Sequence, residues 1–345
     1  MTDTMRAIVV DRPGTPDVLQ IRDLAIPRPE PGQVLIRVRA FGLNRSELHF
    51  RQGVAASGSF PRVPGIEATG TVAAAPGGEF APGTQAVTMM GGMGRAFDGG
   101  YAEYVLVPAA QVIAFRSDLP WEQLGAVPEM LQTAYGSLTV GVQVTPGQSL
   151  LIRGGTSSIG LAIAVLAKRQ GITVVATTRR EHARAQLEAL GVDHVLVDDG
   201  TIADRVRGIL PDGADGAVEL VGANVLKDTL RAVRPGGTVC FTGMLSDQWT
   251  IPDFYPMDWL PNGVRLTAYS GEASGLPAPV LQEFLEAVTT GQATIPIGRV
   301  YRLDQIVQAH RDMEAGTVGG KAVVLTIANR TLSGHELPAR KDNRA

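Results

Sequence analysis

The stretch SLLIRGGTSSIG, residues 149–160, passes from an apolar strand (Ser149–Arg153) through a loop of small residues (Gly154–Ser158) into a helix. That helix carries Ile159, Leu161, Ala162, Val165 and Leu166 on its inner side and ends at Gly171. A helix start presents unpaired backbone N–H groups and the positive end of the helix dipole, so a pyrophosphate fits there. The G-x-G-x-x-G fingerprint is only partly met. Gly155 and Gly160 fit, while Ser157 stands where the middle glycine permits close approach. Gly155, Thr156, Ser157, Ser158, Ile159 and Gly160 together form the candidate phosphate cradle.

The context strengthens this reading. Strand-like runs follow at Thr173–Thr178, His194–Val197, Ala217–Val221, Thr238–Gly243 and Val264–Tyr269, and helical stretches lie at Glu181–Leu190, Ile202–Ile209 and Asn224–Val233. Strands alternating with helices of about ten residues predict a parallel sheet covered on both faces. With a phosphate loop after the first strand, the fold class is α/β, a doubly wound Rossmann sheet.

The end of the second strand indicates which dinucleotide binds. An unphosphorylated ribose calls for Asp or Glu about 20 residues beyond the glycines. Here the strand ends in Thr177, Thr178, Arg179 and Arg180, Arg184 follows one turn on, and the first acid, Glu181, already lies in the helix. Arginine favours a 2′-phosphate through charge-assisted, often bidentate hydrogen bonds, so the expected cofactor is NADPH. Thr178, Arg179, Arg180 and Arg184 would hold its phosphate, and Gly243 would let backbone approach the nicotinamide. The alternative is that these arginines form only a solvated helix start.

Composition narrows the function class. A net charge of −3 gives no general drive toward nucleic acid or a membrane surface. The longest uncharged run, Met130–Ile152, is broken by Pro146 and several glycines, so it does not read as a membrane span. The N-terminus does not resemble a signal peptide, and the single Cys240 excludes an intrachain disulfide; a cytoplasmic protein is expected.

Residues before about 120 alternate as strands do, with Pro and Gly punctuation and little helix. After Tyr269 come a helix (Val280–Thr289), an amphipathic segment (Leu303–Glu314) and a strand (Ala322–Ile327), too few for a third domain. The expected organisation is therefore a mostly-β domain from 1–122 and 271–330, a cofactor domain from 123–270, and a frayed tail at 331–345. The cleft between the two domains is the expected site.

Several segments carry a family resemblance. They are Gly42-Leu43-Asn44-Arg45-Ser46-Glu47, Arg51-Gln52-Gly53, Pro64-Gly65-Ile66-Glu67 with Gly70, Pro128 through Thr133-Ala134-Tyr135, the glycine loop, Pro235-Gly236-Gly237, and His310 through Met313-Glu314 to Gly320-Lys321. From Met5 to about Thr326 the chain resembles the medium-chain dehydrogenase/reductase superfamily, within it the zinc-independent quinone oxidoreductase-like branch. The resemblance implies a GroES-like catalytic domain and a homodimer paired through the last strand of the Rossmann sheet. It also implies site roles for Asn44, Ser46 and His49 at the substrate, and for Thr133 and Lys321 at the cofactor.

Zinc alcohol dehydrogenases of this superfamily place a Cys where Asn44 stands and a His where Ile66 stands. A catalytic zinc needs three N, S or carboxylate ligands, and Asn and Ile do not supply them. Val87–Tyr104 holds no cysteine for a structural zinc lobe, so no metal is expected. Hydride delivery to a simple ketone leaves a localised alkoxide that zinc would stabilise. An enone or quinone spreads the charge, and hydrogen-bond donors suffice.

The expected activity is NADPH-dependent reduction of quinones or α,β-unsaturated carbonyls. An enoyl-thioester reductase and a non-catalytic NADPH-binding redox sensor or structural protein are the competing readings. Among single residues, Asn44 is expected to offer its N–H₂ to the substrate oxygen or the ribose, or only to stabilise a turn, and Ser46 with His49 to relay a proton. Glu67 is expected to pair with Arg51, and Lys321 to touch the cofactor phosphates or orient the last strand. His310 and Met313 read as core.

Overall fold

The computed structural model describes residues 3–54 and 58–326; the expected tail at 331–345 lies outside them. Six parallel strands form one sheet, ordered His194–Val197, Thr173–Thr178, Ser149–Arg153, Ala214–Glu219, Val233–Phe241, Arg265–Ala268. Numbered along the chain, that order is 3-2-1-4-5-6, the doubly wound arrangement whose ligand crevice opens between strands one and four at their carboxyl ends. The apolar runs LLI, VVA and VCF sit in strands with both faces covered, as a parallel sheet requires. One core cluster includes Leu150, Ile152, Val174 and Val218, and a second, around Leu151, Val175, Ala217 and Val239, lies on the other face.

A seven-stranded sheet runs Ile297–Arg302, Lys321–Leu325, Gln33–Gly42, Glu67–Ala74, Gln85–Met89, Val112–Ala114, with Tyr104–Pro108 also paired to Gln33–Gly42. Its first pair is parallel and the others antiparallel. The last strands of the chain thus complete the sheet begun by the first ones, and this brings Lys321 beside residues near position 44. The fold is α/β, combining a doubly wound parallel sheet with a mostly-β domain.

Two helices matter most for the site. Arg45–Gln52 starts from a capping box in which Asn44 and Glu47 satisfy each other's end of the helix, and it stops at Gly53 in the left-handed conformation. Pro128–Gly136 begins with proline in its first turn and runs between the two sheets, burying Met130, Leu131 and Ala134 in the shared core.

Several boundaries differ from expectation. The stretch Glu181–Leu190 folds as a turn (Glu181–Ala183) and a short helix (Arg184–Glu188), and the fifth strand is longer than expected, Val233–Phe241. The mostly-β half also contains the helix Arg45–Gln52, whose polar residues hid its periodicity.

Candidate active site

The glycine loop fits a dinucleotide phosphate. A Cβ on Gly160 would lie 2.6 Å from the Gly154 carbonyl oxygen and 2.8 Å from Gly155, so only glycine lets the helix approach the strand end this closely. Gly154 turns the chain with φ of +90°, and Gly155 donates its N–H to the Thr177 carbonyl. Ser157 is the N-cap of the helix Ser158–Arg169. Its hydroxyl accepts from the Gly160 N–H at 3.1 Å and donates to the Gly154 carbonyl at 2.8 Å. The serine thus has a capping role that glycine could not fill. The N–H groups of Ser158 and Ile159 begin the helix with no carbonyl one turn back, and Thr156 stands just before them at the crevice.

Beneath the loop, Arg153 is wholly buried. It pairs with Asp198 at 2.8 Å and Asp228 at 2.8 Å, and bonds Thr229 and the Val225 carbonyl. Asp198 also accepts from Thr177 at 3.3 Å, and Thr177 in turn accepts from Gly154 at 3.0 Å, so this network braces the loop from below. Burial, the largest influence on Asp198, pushes its carboxyl up, but the Arg153 bonds and charge bring it below the usual range.

At the end of the second strand Thr178 is buried and its hydroxyl accepts from the Arg180 N–H. Arg179 and Arg180 are exposed, and among the described residues neither forms an ion pair. Arg184 does not join them. Its guanidinium is bonded to Glu181 at 2.8 Å and to the Val195 carbonyl at 2.7 Å, because the helix it begins sets it against these acceptors. At the fifth strand's end, a Cβ on Gly243 would meet the Leu220 carbonyl oxygen at 2.5 Å, which marks a close backbone crossing at the crevice.

On the other side of the cleft, four distant segments meet in one buried cluster. Glu67 is inaccessible and accepts from Asn44 Nδ2 at 2.9 Å, Lys321 Nζ at 3.0 Å and the Glu129 N–H at 3.0 Å. Lys321 also donates to Asn44 Oδ1 and to Glu129 Oε2, the latter at 3.4 Å. Glu47, also inaccessible, accepts from the N–H groups of Asn44 and Ile66, each at 2.9 Å. Burial pushes the Glu47 carboxyl up to about 7, against the lowering effect of the Ile66 N–H and the Arg95 charge.

This geometry corrects four expectations. The Asn44 N–H₂ faces Glu67 and Glu47 rather than the cleft. Lys321 is enclosed by carboxylates, so its ammonium is not offered to phosphate. Arg51 pairs with Glu314 and the Gly14 carbonyl, while Glu67 takes Lys321 instead.

The Ser46–His49 relay is the fourth. No hydrogen bond joins the two among the described residues. The Ser46 hydroxyl accepts from Arg95 at 2.7 Å, and His49 packs on Trp249 with ring centroids 4.2 Å apart, its Nε2 4.0 Å from Asp247. Burial lowers the His49 pKa, with Asp247 opposing and Arg45 and Arg95 assisting. Arg45 itself reaches Asp247 at 2.5 Å, an ion pair that ties the two sides of the cleft together.

Thr133 is buried and donates to Glu129 Oε1 at 3.0 Å. Glu129 was missed by sequence reasoning; its four-residue spacing from Thr133 would have placed both on one helix face. His310 is buried against Tyr101, as expected of core, and Met313 packs on the same cluster. Among the described residues no three His, Cys, Asp or Glu side chains gather as a metal site. No described helix is long and apolar enough to cross a membrane.

Comparison with known proteins agrees with the fold. Residues 30–117 match the family described as Alcohol dehydrogenase GroES-like domain, and residues 190–324 the family described as Zinc-binding dehydrogenase. The quinone oxidoreductase of Lama guanicoe is 29% identical over 331 residues, covering 93% of this chain and 97% of that protein. The human quinone oxidoreductase is 28% identical over 333 residues, with 93% and 98% covered. The solved structure of mycobacterial Rv1454c complexed with NADPH superposes with a TM-score of 0.79 at 26% identity, covering 93% of this chain and all of that one. AibC gives a TM-score of 0.82 at 26% identity, with 94% and 96% covered. A chain with this sheet order, this crevice and these relatives belongs to the medium-chain dehydrogenase/reductase superfamily, in its quinone oxidoreductase-like branch, and is an oxidoreductase that uses a nicotinamide cofactor.

Proposed function

We propose that this protein is an NADPH-dependent reductase of quinones or α,β-unsaturated carbonyls that works without a metal. The observation that carries the reading is the buried Lys321 ammonium, which lies against Asn44 and Glu67 at the place where zinc alcohol dehydrogenases of this superfamily begin their ligand set. A cation fixed in the protein already balances the carboxylates there, and neither Asn44 nor Ile66 is a zinc donor. Without a Lewis acid, acceptors whose negative charge spreads over a conjugated system are favoured over simple ketones.

When bound, the dinucleotide supplies a hydride. The chain's own groups bind and orient it: the loop from Gly155 to Gly160 at the pyrophosphate, and Thr178, Arg179 and Arg180 at the 2′-phosphate. Gly243 gives room at the nicotinamide. The two exposed arginines, which have no carboxylate partner among the described residues, support NADPH over NADH.

A homodimer is part of the reading. The strand Arg265–Ala268 ends the six-stranded sheet, beside an apolar pocket of about 290 Å³ lined by Phe241, Trp249, Ile251 and Leu266. Met257 is 79% exposed nearby, and a second copy covering this face would remove an open strand edge.

The experiment is absorbance loss of NADPH and of NADH with a quinone, an enone, an enoyl thioester and a simple ketone. Oxidation of NADPH by the conjugated acceptors is expected. Tight cofactor binding with no oxidation by any acceptor would refute the reading.

A further inference from the structure

Two carboxyl groups, Glu67 and Glu129, meet the Lys321 ammonium in the cleft-side cluster, Glu47 stands beside them on Asn44, and the three are not equivalent. Glu67 and Glu47 are inaccessible, and each accepts bonds of 2.9–3.0 Å on both oxygens, including at least one backbone N–H. Glu129 receives less: one hydroxyl bond from Thr133 at 3.0 Å and one long contact from Lys321 at 3.4 Å. Its side chain is 12% exposed, against 4% for Lys321 and 0% for Glu67, so among the charged members of the cluster it is the one open to solvent. Glu129, Thr133 and Ser137 also follow at four-residue spacing. The Ser137 hydroxyl bonds the Thr133 carbonyl at 2.7 Å and meets the Thr242 hydroxyl at 2.9 Å, next to Gly243 at the strand end. One stripe of side chains thus joins the carboxyl cluster to the nicotinamide end of the crevice.

We propose that Glu129 is the acid that protonates the reduced substrate, positioned by Thr133 and Lys321. The inference deepens the reductase reading and rests on it. The substrate's β-carbon gains a C–H bond from the incoming hydride, and the C=C electron pair shifts toward the carbonyl to leave an enolate; a quinone leaves a hydroquinone anion. The Glu129 O–H bond then breaks, its proton forms the new O–H or α-C–H bond, and the carboxylate left behind faces the Lys321 ammonium. Solvent at the cleft restores the proton.

Burial raises the Glu129 pKa, and the nearby Glu67 carboxylate raises it further, while Lys321 and the Thr133 bond oppose. Glu47 and Arg95 stand one layer beyond, with opposite charges. The acid form is therefore retained into a higher pH range than an ordinary glutamate would allow.

The test is Glu129→Gln, a substitution that can keep the contacts with Thr133 and Lys321, with Glu129→Asp as the conservative control. In the wild type, kcat/KM falls as pH rises through the Glu129 ionisation. In Glu129→Gln, kcat drops about 10²–10⁴-fold with KM nearly unchanged, and that descending limb disappears. Glu129→Asp recovers part of the rate. Independently of turnover, the infrared difference between wild-type and Glu129→Gln apoprotein isolates a protonated-carboxyl band that persists to higher pH than an ordinary glutamate's. Wild-type kcat in Glu129→Gln, or no such band in an active wild type, overturns the acid role alone. A wild type inert toward every conjugated acceptor overturns the reductase reading itself, and the acid role with it.

Discussion

Replacing Arg179 and Arg180 together by alanine tests the cofactor assignment most directly. Both side chains are exposed at the end of Thr173–Thr178, so each contact with a 2′-phosphate works against solvent screening. A charge-assisted hydrogen bond contributes about 1.5–3 kcal/mol where it is sheltered. At an exposed strand end about 1 kcal/mol per arginine is the appropriate figure. The pair then contributes about 2 kcal/mol, a roughly thirty-fold rise in the NADPH dissociation constant. NADH lacks the phosphate and should change less than about twofold, since the loop that binds its pyrophosphate is untouched. Titration of cofactor fluorescence against wild type and double variant measures both constants. Raising the salt from about 0.15 M to 1 M shortens the Debye length from about 8 Å to about 3 Å, so the wild-type preference for NADPH should shrink while NADH binding holds. Equal losses for both cofactors, or a preference insensitive to salt, would refute the phosphate role and leave the arginines as a solvated turn.

Four further outcomes follow from the geometry. Asp198→Asn leaves the buried Arg153 guanidinium short of one charge partner and should cost about 3 kcal/mol in denaturant unfolding. Because the folded Asp198 carboxyl lies below its unfolded value of about 3.9, its contribution is present above that value and fades as pH falls through the folded one, so the variant's deficit should narrow in acid. Ser157→Ala removes the N-cap of the glycine-loop helix and should lower stability by about 1 kcal/mol, read as a shifted denaturant midpoint at constant slope. Prolonged chelator treatment should leave reductase activity unchanged, and stoichiometric zinc in a metal assay would contradict the metal-free reading. His49→Ala should keep kcat within about threefold, because the Ser46 hydroxyl is bonded to Arg95 rather than to the imidazole; a large kcat loss at constant KM would restore the relay.

Local pattern made the cofactor domain legible. The central strands of the six-stranded sheet are apolar and bounded by turn residues, and the helices Ser158–Arg169, Ala203–Ile209 and Ala223–Arg231 show local periodicity, so element type and order follow there without knowledge of distant contacts. Boundaries were less legible. The strand Val233–Phe241 includes Arg234-Pro235-Gly236-Gly237, residues that read as turn and do bulge out, unpaired with Ala214–Glu219, between the Val233–Ala214 and Thr238–Gly216 pairs that hold the strand on either side. The helix Arg45–Gln52 is only faintly marked because Leu48 and Phe50 alone are apolar in it; its polar residues are buried by the cluster, by Trp249 and by Glu314 rather than by an apolar face.

The site was legible only where its chemistry is local. The phosphate loop is one continuous stretch, and reading Ser157 as a degraded glycine missed that the same position is a helix N-cap, where serine is favoured for reasons unrelated to the ligand. The carboxyl cluster draws on Asn44, Glu67, Glu129 and Lys321, which lie as much as 277 positions apart. Sequence alone offers each of these side chains several partners of opposite charge, and Glu67 was matched to Arg51, a plausible cation that the fold gives to Glu314. What decides between them is the return of the last strand, Lys321–Leu325, to the edge of Gln33–Gly42, where Leu325 pairs with Ala40 and Val323 with Gly42. That register carries Lys321 past Gly42 to the start of the helix at Asn44, so the electrostatics of the site depend on a long-range strand pairing. A one-residue slip would reverse the faces of this strand and take the only lysine of the cluster out of it.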